Sequence, residues 1–236
     1  MGLSHLSRLR AAILLLGLFA LAGSASAGPK VIYSVDFAGF TGGTVLNWLR
    51  SKGFEPKQDA TNASKVVFFD QGGDLVLETK TKAFGLLLNE ADVAGYSKIR
   101  IQWGVDIFPP GASYANGVRS EAVMVYIFFG KERLSSGSLF IPDSPYFLGL
   151  FLCNGDKIGE PYTGRYFKAG GRFICVAHPP VGELITTEYP LDEAFKRTFG
   201  KNEVPDISGF GISIDTNNAR GNAVARAFVR KIEFVK

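Results

Sequence analysis

Apolar positions along this chain fall into short runs, each closed by glycine, proline or a small polar cluster. KVIYSVDF (residues 30–37) alternates and predicts a first strand. KVVFFD (65–70) and DLVLETK (74–80) flank Gln71-Gly72-Gly73, a hairpin turn signal. AFGLLLNE, SKIRIQWGVDIF, EAVMVYIFFG, ITTEYPL, ISGFGISIDTN and the closing AVARAFVRKIEFVK continue the series. Within SKIRIQWGVDIF, Ile99, Ile101, Trp103, Val105 and Ile107 share one face and Arg100, Gln102 and Gly104 the other, before Pro109-Pro110-Gly111 ends the strand.

Helical spacing is confined to two places. VLNWLRSKGF (45–54) predicts a helix of two to three turns, with Thr44 as N-cap and Gly53 as terminator. Trp48 on that helix is either an apolar anchor or a ligand-stacking ring, and the anchor reading is preferred. A second short helix is expected at Asp192 to Phe199. No βαβ alternation and no internal repeat is present. The pattern predicts a mostly β fold, an antiparallel β-sandwich of jelly-roll type with one or two short helices.

The stretch from Ser144 to Pro179 organises the rest. SPYFLGLFLC and RFICVAHPP are the two most apolar runs, joined by a connection rich in glycine and aromatic residues. Cys153 and Cys175, the only cysteines, lie equally far from Gly164. If the runs pair as one antiparallel hairpin, the thiols come face to face, so a Cys153–Cys175 disulfide is expected.

Composition changes this picture in one respect. Arg8 and Arg10, the apolar run Ala11–Ala22 and Ala25-Ser26-Ala27 read as a signal peptide over residues 1–27. That leaves residues 28–236 as a single β-sandwich domain with no transmembrane anchor, in the periplasm or secreted. The formal charge of +4 partly belongs to the leader, and lysine and arginine are scattered, which argues against a nucleic-acid partner.

Candidate chemistry is sparse. Only two histidines exist; His5 falls in the leader, and His178 stands before Pro179-Pro180 with its side chain expected to face away from Cys175. Ser-His-Asp, zinc and nucleotide-binding patterns are all lacking. Asp106, Glu121, Glu160 and Asp215 sit on or beside strands and could supply a carboxylate pair of the glycosidase kind. The Asp215-Thr216-Asn217-Asn218 loop offers oxygen ligands for Ca²⁺, through Asp215 and Asn217, or an Asx-turn, and the turn is preferred. Tyr146, Tyr162, Arg165, Tyr166 and Arg172, with Glu160, Asn154 and Phe167 among them, could line a cleft for a polar ligand or seal the sandwich rim.

Several of these stretches carry a resemblance. W-x-V-D at Trp103–Asp106, VMVYIFFG ending at Gly130, PYFLGLFL, GGRFICV and Asp215-Thr216-Asn217 are similar to a bacterial family of exported proteins catalogued as domain of unknown function 3047. The resemblance implies a sandwich akin to carbohydrate-binding modules and no assigned activity, and it does not extend to the helix around Trp48. Three functions follow as expectations. The first is non-catalytic binding of a glycan or other polar envelope polymer; the others are a polysaccharide hydrolase or lyase, and an envelope interaction protein that docks another protein through an exposed apolar patch.

Overall fold

The computed structural model describes residues 28–236, so the signal peptide expected at 1–27 lies outside the described residues. The chain begins with β1 (Val31–Asp36), α1 (Val45–Ser51), β2 (Phe54–Gln58), β3 (Val66–Gln71), β4 (Asp74–Thr79) and β5 (Phe84–Asn89). β6 (Lys98–Ile107), β7 (Glu121–Leu134), β8 (Ser144–Leu152), β9 (Pro161–Tyr162) and β10 (Gly171–Ala177) follow. β11 (Ile185–Pro190), α2 (Leu191–Phe199), β12 (Ile207–Asp215) and β13 (Arg226–Val235) complete it.

The strands form two sheets packed as a β-sandwich. The six-stranded sheet runs β11-β6-β13-β4-β3, and β1 also pairs with β13 beyond the end of β4. The seven-stranded sheet runs β2-β5-β12-β7-β8-β10-β9. Ile99, Ile101, Trp103 and Val105 of β6 enter the core shared with Val125, Ile127 and Phe129 of β7 and Leu148 and Leu150 of β8. Trp103 is fully buried, and its indole N–H donates to Thr187 Oγ1 at 3.1 Å. The apolar face of β6 ends at Val105: the ladder with β13 slips there, with Val105 opposite Ala227 but Ile107 opposite Arg226, and Ile107 is left 43% exposed.

Both short helices do what their apolar residues require. α1 buries Leu49 and stands Trp48 against Phe37 and Phe40, at ring distances of 6.2 and 5.8 Å. Trp48 is therefore an anchor. α2 buries Leu191, Ala194 and Phe195, and Phe195 meets Phe129 at 4.8 Å. The β3–β4 turn uses Gly72 and Gly73 at φ +65° and +86°, the left-handed pair that a two-residue hairpin needs. β2 escaped the pattern because it carries Pro56; a proline is tolerated there because the strand is the sheet's edge.

The expected β8–β10 hairpin does not form. β8 and β10 are parallel neighbours, with Cys175 level with Phe151. Residues 153–170 are long enough to swing outside the sheet, and β9 returns antiparallel along the outer side of β10. The equal spacing about Gly164 therefore has no structural meaning. The disulfide forms nonetheless, across a Cα–Cα distance of 5.7 Å, because Cys153 stands just past the end of β8 beside Cys175. A register shift between Cys175 and Ala177 also brings His178 to the same side, so that its nearest ring nitrogen and both sulfurs lie within 4.8 Å of one another. Its Nε2 lies 2.7 Å from the Asp156 carbonyl oxygen. The expectation that His178 faces away from Cys175 assumed an unbroken pleat.

Candidate functional site: the outer face of the seven-stranded sheet

β7 and β8 are apolar on both faces, which explains why VMVYIFFG and PYFLGLFL show little alternation. Val123, Val125 and Ile127 join the inter-sheet core, while Met124, Tyr126 and Phe128 look outward. On β8 and β10 the outward positions are Phe147, Gly149, Phe151, Phe173 and Cys175. A second apolar cluster forms here: Tyr114, from the β6–β7 connection, lies over Phe151 and Phe173 at 4.5 and 5.3 Å, beside the disulfide.

Beyond that cluster Tyr126, Phe128 and Phe173 are half-buried around the buried ring of Phe147. Tyr126 and Phe128 have their planes within 10° of each other and their centres 6.0 Å apart. Phe147 stands 5.7 Å from Tyr126 and 5.7 Å from Phe173. Gly171 makes this possible, since a Cβ there would collide with the Phe147 ring. The result is a row of rings across β7, β8 and β10.

At the start of β7 the face turns polar. The β7–β12 ladder pairs Ile212 with Val125 and Ser213 with Met124, and regular pairing would next place Asp215 opposite Ala122. A bulge places it opposite Glu121 instead, and Ala122 and Val123 both enter the core. Bulges re-aim side chains in this way. Glu121 is 2% exposed; its Oε2 accepts from the Tyr114 hydroxyl at 2.8 Å and its Oε1 from Ser213 Oγ at 3.4 Å. Burial, then the neighbouring Asp215 charge, pushes the Glu121 carboxyl well above its usual range. Burial also raises Asp215, to about 6, against the opposing hydrogen bond from the Asn217 N–H. The same environment raises the hydroxyls of Tyr114 and Tyr126, by burial first and the Glu121 charge second.

The four carboxylates considered from sequence thus separate into three places. Glu121 and Asp215 are cross-strand partners. Asp106 lies on the other sheet, 3.1 Å from Arg226 Nε, and Glu160 is exposed beside Lys157 at 3.2 Å. Asp215 Oδ1 accepts from the Asn217 N–H at 2.8 Å, closing an Asx-turn.

The six expected ligand-contacting residues also divide. Tyr146 packs inward against Phe195 and Phe199 of α2, and the Arg172 guanidinium lies 5.9 Å from the Phe199 ring. Tyr162 reaches the outer face, 6.1 Å from Tyr114, and its hydroxyl accepts from the Lys157 N–H. Glu160, Arg165 and Tyr166 lie on the outlying connection, with Arg165 over the Tyr166 ring at 5.4 Å. The outward row Tyr126, Phe128, Phe147 and Phe173 was missed, although its signal was present: strands apolar at both parities have two covered faces.

A cavity of about 150 Å³ adjoins Glu121. Ser120, Glu121, Phe151, Asn154 and Asp156 are among its lining residues. Asp156 clamps the connection that carries Tyr114, accepting from Ser113 Oγ at 2.9 Å and from the N–H groups of Tyr114 and Ala115 at 2.8 and 3.2 Å. No helix among the described residues is long and apolar enough to cross a membrane.

No family model matches the chain, and no curated protein matches it. Among solved structures, the chain is similar to a potassium-bound form of the Emp46p carbohydrate recognition domain, at 13% identity and a TM-score of 0.43, covering 85% of this chain and 95% of that one. It is similar to a mutant of a carbohydrate binding module of family 29, at 9% identity and 0.38, covering 88% and 90%. A low-affinity xylan binding module of family 86 from Roseburia intestinalis follows at 9% identity and 0.33, covering 78% and 96%. Likenesses this loose assign no function to the present chain.

Proposed function

We propose that this chain binds an extended glycan or similar polar polymer, without cleaving it, along the outer face of the seven-stranded sheet. The observation that carries this reading is the row of half-buried rings of Tyr126, Phe128 and Phe173, set around Phe147 on one rigid sheet. Sugar rings present an apolar face of C–H groups and a rim of hydroxyls, so they favour aromatic platforms with polar groups beside them. Tyr162, Glu160, Arg165 and Tyr166 lie on the connection at the β9–β10 side of this face and would supply the rim. Export to the envelope or beyond belongs to the same reading, and the disulfide supports it.

Retention of the residue 28–236 domain by immobilised or gel-embedded polysaccharides, peptidoglycan included, tests it. Binding by the wild type, weakened about tenfold or more by Phe128→Ala or Phe173→Ala, is the expected result. Equal retention of wild type and both variants, or none by the wild type across the panel, would overturn it.

A hydrolase reading draws on one specific observation, the Glu121–Asp215 pairing. Glycosidase carboxylates must reach substrate on an open face. Glu121 instead lies beneath the Tyr114 hydroxyl. New reducing ends released from a bound polysaccharide, and abolished by Glu121→Gln, would favour catalysis over binding.

A further inference from the structure

Glu121 poses a physical problem. A carboxyl group taken this far out of water either keeps its proton or, when charged, needs a cation or several donors to compensate it. Its hydrogen-bond partners are two neutral hydroxyls, and among the described residues it forms no ion pair. A second carboxyl, Asp215, is its cross-strand partner, and a third, Asp156, lines the same cavity while only 4% exposed. Ser120, 2% exposed, lines this cavity too, and among the described residues its Oγ has no hydrogen-bond partner.

The geometry points to a divalent-cation site in this cavity, ligated by the Glu121 and Asp156 carboxylates, Ser120 Oγ and the Asn154 side-chain oxygen. The donor set decides the class of ion. All four are hard oxygens, two of them anionic, which suits Ca²⁺ rather than a soft or nitrogen-seeking metal. A cavity of about 150 Å³ leaves room for water to complete a shell of six to eight oxygens. A single water would satisfy Ser120 but would bring no positive charge to the two carboxyl groups. Asp156 already accepts three hydrogen bonds, which fix its orientation and leave further lone pairs for an ion.

The ligands come from the end of the β6–β7 connection, the start of β7 and the segment after β8. An ion there ties the Tyr114 connection to the sheet. It therefore holds Tyr114 on Phe151 and Phe173 at one end of the aromatic row. This is a different place from the Asp215–Asn217 loop, whose carboxylate is turned to its own backbone.

Two measurements on the chelator-treated residue 28–236 domain test the site. The first is tyrosine-sensitised Tb³⁺ luminescence, since the Tyr114 hydroxyl touches Glu121. The second is thermal melting with CaCl2 or MgCl2 at about 5 mM, enough to fill a site of extracellular affinity. Sensitised emission displaced by Ca²⁺, and a melting temperature raised by several degrees, are expected. Glu121→Gln should lose both signals, and Ser120→Ala, a small change that keeps the fold should Glu121→Gln not, should weaken Ca²⁺ at least several-fold. No emission and no shift in the wild type would overturn the proposal. So would signals undiminished in both variants, or a shift produced equally by KCl at matched ionic strength.

Discussion

Single side chains set the sharpest expectations here. Trp103 is the largest fully buried side chain among the described residues and faces strands of the opposing sheet. Trp103→Ala removes its transfer free energy, opens a cavity and orphans the Thr187 hydroxyl contact, so it should cost about 3–5 kcal/mol in a denaturant titration. Gly171 makes the opposite case. Its missing side chain is the space that Phe147 occupies, so Gly171→Ala overpacks a rigid site and should cost about 1–3 kcal/mol. Because Phe147 borders both Tyr126 and Phe173, the same substitution should weaken polysaccharide retention beyond its effect on stability. A stability loss with unchanged retention would separate the ring row from binding.

At the level of elements, the disulfide closes a loop with a sequence separation of 22, and chain-entropy reasoning gives it about 3 kcal/mol. Reduction should lower the melting temperature by several degrees while leaving the β circular dichroism of the cold protein intact. Strand positions were legible because most strands carry either clean alternation or strong turn signals, as β6 and the Gly72-Gly73 turn do. The partners of β8 and β10 were not, since cysteine spacing fixes loop length but not strand direction. Nor could one see that a bulge brings Glu121 opposite Asp215, because a strand apolar at both parities gives no sign of a slipped register. The outer face of the six-stranded sheet adds a pH-dependent element. Arg100 bridges Glu188 at 2.7 Å and Glu233 at 3.2 Å, and Lys98 and Lys231 complete the array. Hydrogen bonds from Lys98 and Arg100 hold Glu188 below its usual range. Glu233 is lowered as well, Lys231 and Arg100 outweighing the opposing effect of its burial. Carboxyls with depressed folded-state values stabilise above their unfolded pKa and lose that contribution as pH falls through the folded value. Arg100→Leu should therefore cost about 1–3 kcal/mol at pH 7, and the gap to wild type should shrink below about pH 4. A gap constant from pH 7 to pH 3 would mean that packing, not charge, sets it.

The molecule as a whole is asymmetric, and the asymmetry says where to look for its task. One sheet turns a lattice of ion pairs to solvent, including Arg226 with Glu78 and Asp106 and Arg230 with Asp74. The other turns out aromatic rings that its own fold only half covers. Surface ion pairs contribute little singly, so Arg230→Ala should leave both the melting temperature and polysaccharide retention close to wild type, whereas Phe128→Ala should lose retention. At the far end of β7 from Glu121, Leu139 and Phe140 are 100% and 95% exposed. Their loop is held by Ser136, whose Oγ donates to the Ile141 carbonyl at 2.6 Å and whose N–H donates to Asp143 at 3.0 Å. The Phe167 N–H, from the β9–β10 side, donates to the Ser136 carbonyl. The two apolar side chains take no part in that bracing. Replacing both with serine should change stability by no more than about 0.5 kcal/mol. If polysaccharide retention is also unchanged, binding belongs to the sheet face alone. If retention falls while the melting curve does not, the polymer's track runs along β7 past Phe128 to this tip.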